Sequence, residues 1–152
     1  MKTLALSVAL TVAAVALAPV ARAEMALGNY ELQIPARYDF HTWVWVVSGC
    51  YTAGSRLPAP GCVHVAVVAR PVAKAFSYEG YSHLADGRYT LTVDVPDGLR
   101  CGDIYYGPTI PTHDTYSWDS TTLAGSLESS FATGCDGAPA GTYTYPFTLV
   151  RM

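Results

Sequence analysis

Apolar and polar side chains alternate with a period of two along much of this chain, and no long stretch repeats at helical spacing. The pattern is clearest over residues 89–95. There Tyr89, Leu91, Val93 and Val95 share one face, and Thr90, Thr92 and Asp94 share the other, as in a strand with one wet face. Asp86-Gly87 before this run and Pro96-Asp97-Gly98 after it supply turn chemistry at both ends. Residues 43–47 (Trp-Val-Trp-Val-Val) are apolar on both faces, as a central strand is, and residues 63–68 are similar, interrupted only by His64. Weaker strands are predicted over 28–34, 73–78, 82–84, 103–106, 115–118 and 123–131. A final strand over 142–150 puts Tyr143, Tyr145, Phe147 and Leu149 on one face, and Pro146 predicts an edge or a break there.

Short strands separated by Gly, Pro and Asp turns predict an all-β protein: a single antiparallel β-sandwich or flattened barrel. No repeat, low-complexity tract or linker divides residues 24–152, so they are read as one domain.

The first 23 residues change the picture. Lys2 is followed by an apolar run from Leu4 to Val20, then by Ala21-Arg22-Ala23 ahead of Glu24. Held-back charge, a hydrophobic segment and small residues at the −3 and −1 positions form a cleavable signal peptide. Export to the cell envelope or the extracellular medium follows. No later apolar run is long enough to span a bilayer, so no membrane span is expected in the mature chain. With Lys2 and Arg22 removed in the leader, seven basic residues face twelve acidic ones, a net charge of −5. The arginines are scattered, so the basic stripe that a nucleic acid requires is not written here.

Export also makes disulfides stable. Cys50, Cys62, Cys101 and Cys135 allow three pairings, and Cys50–Cys62 with Cys101–Cys135 is favoured, because the first pair brackets a loop between two apolar runs. Spacings of 12, 39 and 34 residues contain none of the close pairs of a zinc ribbon, so neither a metal nor another cofactor is expected.

Several segments together resemble small exported mycobacterial-type proteins of uncharacterised function. They are the stretch from Asp86 to Cys101, the hairpin Tyr116-Ser-Trp-Asp-Ser-Thr-Thr-Leu-Ala-Gly125, the run Gly134 to Thr142, and Phe147-Thr-Leu149. Trp45 ahead of Cys50 and Cys62-Val-His-Val belong to the same pattern. The resemblance implies export, a β-rich disulfide-bonded domain and a place in an envelope proteome. It carries no catalytic residue. In the hairpin, Asp119 and the following hydroxyls suit a turn, Trp118 suits a core, and Gly125 suits the close approach of another side chain.

Catalytic motifs are sparse. His41, His64, His83 and His113 are dispersed without metal-ligand spacing, and no G-x-S-x-G elbow occurs. His113 and Asp114 are adjacent, so on a strand they point to opposite faces. The most suggestive stretch is 105–118, read as a stiff aromatic loop rich in Tyr, Pro and Thr. Tyr105, Tyr106, His113, Tyr116 and Trp118 are its candidate binding residues, since Tyr and Trp offer area with a polar handle. The expected function is non-catalytic binding or an accessory role, with cell-wall glycan or an envelope protein as partner. The alternative is a secreted hydrolase using His113 and a nearby carboxylate. Purified exported protein is expected to show no free thiol before reduction and a sheet-type circular dichroism spectrum. Four titratable thiols or a helical spectrum would refute this reading.

Overall fold

A computed structural model of the protein describes residues 23–37, 42–70 and 77–152. Of the expected leader, residues 1–23, all but Ala23 lie outside that set. Eight strands follow one another: β1 (Gly28–Gln33), β2 (Thr42–Gly49), β3 (Cys62–Arg70), β4 (Glu79–Ala85), β5 (Arg88–Arg100), β6 (Thr109–Asp119), β7 (Ala124–Phe131) and β8 (Gly141–Arg151). Each pairs antiparallel with the next, and β8 returns to β1, so the sheet closes into an up-and-down barrel. Between the two architectures the sequence left open, the barrel is the one formed. No helix among the described residues is long and apolar enough to cross a membrane.

Closure explains the period-two pattern. Tyr89, Leu91 and Val93 on β5 stand opposite Trp118, Tyr116 and Asp114 on β6, and all six side chains point inward. Trp45 lies at the centre of the interior. It makes edge contacts with Tyr116 at 5.3 Å and Trp118 at 5.2 Å between ring centroids. Tyr89 stacks on Trp118 at 5.4 Å. Eight strands enclose an interior about wide enough for side chains to fill, or to hold one small ligand.

The two ends of the barrel differ. One end carries the long β2–β3 loop, closed by Cys50 and Cys62, and two tight turns, of which Asp86-Gly87 joins β4 to β5 with positive φ at both residues, the turn that matches strand twist. Asp119 Oδ1 accepts the backbone N–H groups of Thr121 (2.9 Å) and Thr122 (2.7 Å), fixing the β6–β7 turn. Met25 closes this end, its sulfur accepting the Trp118 indole N–H at 3.3 Å. The opposite end carries the β1–β2, β3–β4, β5–β6 and β7–β8 connections and is called the loop end below.

Disulfides join Cys50 to Cys62 and Cys101 to Cys135. The first links neighbouring strands β2 and β3; the second ties the β5–β6 loop to the β7–β8 loop across the loop end. Chain-entropy arithmetic assigns them about 3 and about 4 kcal/mol. Both fit an oxidising, extracytoplasmic compartment.

Three local expectations are corrected. Pro96-Asp97-Gly98 does not end β5, because the strand bulges between Val95 and Leu99 and resumes its pairing with β6. Residues 103–106 form a turn rather than a strand, since the Asp103 carboxylate takes up the backbone N–H groups that a ladder would need. Residues 105–118 are mostly strand rather than loop, β6 beginning at Thr109. Pro146 pairs with β7 at a point where β1 has already ended, because β1 meets only Thr148–Arg151; this is an edge confined to one stretch of a closed sheet. The strand predicted over 73–78 lies outside the described residues except for Ser77 and Tyr78.

Gly125 faces Trp118 across β6 and β7. A Cβ there would lie 2.8 Å from the Trp118 Cβ, 2.7 Å from the Phe147 ring and 2.4 Å from the Ser117 carbonyl oxygen. Gly125→Ala is therefore expected to destabilise the barrel by about 1–3 kcal/mol, measured by urea unfolding. A change below about 0.5 kcal/mol would contradict this packing.

Candidate binding site at the loop end of the barrel

The inward face of β6 changes character along its length. Trp118 and Tyr116 are apolar neighbours of the core, whereas Asp114 and Thr112, the next two inward positions toward the loop end, are polar and buried. Asp114 is 1% exposed. Its Oδ1 accepts the Ser129 hydroxyl from β7 at 2.6 Å, and its Oδ2 accepts the Tyr116 hydroxyl at 3.5 Å. Tyr78, just before β4, accepts the Trp45 indole N–H at 3.1 Å and stacks on Tyr116 at 5.3 Å. Burial pushes the Tyr78 and Tyr116 hydroxyls well above the usual phenol range and raises that of Tyr145. All three stay protonated and able to donate at neutral pH.

Arg37 spans the opening above this floor. It follows a turn closed by its backbone N–H to the Ile34 carbonyl at 3.0 Å. Its guanidinium lies over Trp43 at 5.5 Å and Tyr145 at 6.0 Å, and donates to the Gly98 carbonyl at the β5 bulge. Beyond Arg37, Tyr143 stands 6.1 Å from Tyr145 and 5.3 Å from Phe131, a short ladder of rings along β8 and the end of β7.

The five candidate residues from the sequence separate into three places. Tyr105 and Tyr106 sit on the β5–β6 loop at 53% and 92% exposure. Tyr116 and Trp118 are inside the barrel, which removes them from the exposed patch expected of 105–118: in an extended strand they take the inward phase. Only Tyr116 reaches the loop-end interior, through Asp114; Trp118 belongs to the closed end. His113 takes the outward phase on the barrel wall. There its Nδ1 lies 2.7 Å from Asp94 Oδ1 on β5, with both side chains exposed. The carboxylate beside His113 is thus Asp94, directly across the strand pair, and not Asp114. Ser130 is the β7 neighbour on the same wall, its hydroxyl donating to the His113 backbone carbonyl at 3.1 Å. His64 is half-buried on the outer wall, 3.8 Å from Glu79 and 4.8 Å from the Tyr81 ring.

Arg37, Tyr78, Asp114, Ser129, Phe131, Tyr143 and Tyr145 were not singled out as site residues from the sequence. One signal was present: Thr112, Asp114, Tyr116 and Trp118 are spaced by two, so a strand beginning at 109 places a carboxylate in line with two core aromatics. No family model, curated protein or solved structure matches this chain.

Asp103 organises the rim of this end. Its Oδ1 accepts the backbone N–H groups of Tyr105 at 2.9 Å and Tyr106 at 2.8 Å. These bonds, that of Tyr106 foremost, hold its pKa below the ordinary 3.8. A carboxyl with a depressed folded pKa contributes stability that is present above the unfolded value and lost as pH falls through the folded one. Asp103→Asn keeps an acceptor but removes the proton. The variant is therefore expected to lose stability less steeply than the parent as pH drops below 3.8, measured by thermal melting against pH. Parallel acid profiles would show that Asp103 does not hold the loop in this way.

Proposed function

We propose that this is an exported, non-catalytic binding domain of the cell envelope or extracellular medium, and that it engages envelope material through the aromatic rim of the loop end. Kinship with small exported mycobacterial-type proteins is part of the same proposal. One observation carries the reading: Tyr105 and Tyr106 on the β5–β6 loop and Tyr143 near the start of β8, beside Phe131, stand exposed at the same end of the barrel, where Cys101–Cys135 ties the β5–β6 loop to the β7–β8 loop. Exposed tyrosines on a cross-linked frame give large contact area and a hydroxyl handle at small entropic cost, as stacking on sugar rings or packing on a protein strand requires. Cell-wall glycan is the favoured partner, with an envelope protein second.

The rival reading, a secreted hydrolase, is supported by the 2.7 Å contact between Asp94 and His113. That pair lies on the convex outer wall with both side chains exposed, whereas acid–base chemistry gains from a water-excluding pocket. The geometry therefore favours binding.

Purified protein is expected to sediment with insoluble cell-wall glycan, and the triple variant Tyr105→Ala/Tyr106→Ala/Tyr143→Ala to bind about tenfold more weakly or worse. Unchanged retention by a folded triple variant would overturn the reading. Turnover of an ester, peptide or glycoside substrate that is lost in His113→Ala would favour the hydrolase instead.

A further inference from the structure

Inside the rim, the loop end has a lining rich in acceptors. The floor is the buried Asp114 carboxylate, met among the described residues by two hydroxyls, those of Ser129 and Tyr116. At the same end stand the ring faces of Trp43 and Tyr145 and the Gly98 backbone carbonyl, all three met by Arg37, and the Tyr78 phenol, which stacks on Tyr116. Carboxylate, carbonyl and aromatic faces all favour positive charge, and an anion would meet repulsion from each of them.

The chain's own occupant has that chemistry. Arg37 places a planar cation over two rings and donates to the Gly98 carbonyl. Its charge and that of Asp114 act on the same three phenols, Tyr78, Tyr116 and Tyr145. Yet no ion pair joins the two among the described residues. Buried charges are ordinarily paired, and an arginine placed only to stabilise the interior would neutralise the carboxylate beneath it. Here, among the described residues, the carboxylate bonds to hydroxyls while the cation lies on a turn outside the strands. Withdrawing Arg37 disrupts no strand pairing, because β1 ends at Gln33.

We infer that the mouth is a binding site for an organic cation, the guanidinium or alkylammonium group of a small ligand, and that Arg37 occupies it as an intramolecular competitor. The entering cation takes the ring faces and the Gly98 carbonyl from Arg37 and supplies the positive partner that Asp114 lacks. This goes beyond the rim reading: it concerns interior residues and a soluble small molecule, so either can fail without the other.

The test uses the full exported protein, with ethylguanidinium as probe and ethylurea as its neutral counterpart. Binding is followed by tryptophan fluorescence and by thermal melting. Arg37→Ala is expected to bind ethylguanidinium saturably and about tenfold more tightly than ethylurea, with a matching rise in melting temperature. Wild type, with Arg37 in place, is expected to bind it about tenfold more weakly than Arg37→Ala, and Arg37→Ala/Asp114→Asn to lose a similar factor. Arg37→Gln, which keeps the length of the side chain, is read in the same way should the alanine variant fold poorly. Equal response to the two probes would overturn the inference, as would no saturable binding in folded variants or equal affinity in wild type. Failure of both variants to fold, without rescue by ethylguanidinium, would make Arg37 purely structural and also overturn it.

Discussion

Hydrogen bonding between β8 and β1 is the contact on which the rest of the molecule depends. Only four residue pairs make it, Tyr30–Gln33 against Arg151–Thr148, yet they turn an open meander into a closed sheet. Closure removes the exposed edges that an open sheet must otherwise protect. It also gives every strand one inner and one outer face, which sorts the side chains of all eight strands at once. Trp45, Trp118, Tyr30, Tyr89 and Tyr116 are then buried together, and their contacts with one another reward the pairing that encloses them.

The interior that results is not uniform. Toward the tight turns it is apolar and sealed by Met25, which meets the Trp118 indole. Toward the loops it contains a carboxylate, a serine, a threonine and phenols, under an arginine rather than a methionine. Polar groups in a barrel core require partners, and Asp114, Ser129 and Tyr116 supply them to one another. The polar groups of the interior are therefore concentrated toward the loop end, where they bond to one another.

The loop end is also where the chain is cross-linked between elements distant in sequence. Cys101–Cys135 fastens the β5–β6 loop to the β7–β8 loop, while Asp103 fixes the two tyrosines that follow it. The rim is consequently held in place by a cross-link and by local hydrogen bonds. An up-and-down meander alternates its connections between ends, which is why the β5–β6 and β7–β8 loops meet at the same one.

Much of this was legible in the residues. The alternation of 89–95, the shared face of Tyr143, Tyr145, Phe147 and Leu149, and the turn at Asp86-Gly87 are local patterns, and each has its counterpart in the barrel; the doubly apolar run 43–47 is a strand as expected, but closure leaves it an outer face on which Val46 is exposed. Local spacing decides them, because strand phase and turn type depend on neighbours a few residues away. The mouth was not legible. Arg37, Tyr78, Asp114 and Tyr145 come from four separate segments, and nothing in any one of them says that the others lie nearby. Composition alone makes 105–118 resemble an aromatic surface loop; because residues 109–119 pair as β6, phase sends Tyr116 and Trp118 inward and His113 outward. By itself, the sequence determined an all-β domain of short antiparallel strands. Only the tertiary structure decided that the sheet closes, which half of its interior is polar, and which cation faces the buried carboxylate, because closure depends on pairing between the two ends of the chain.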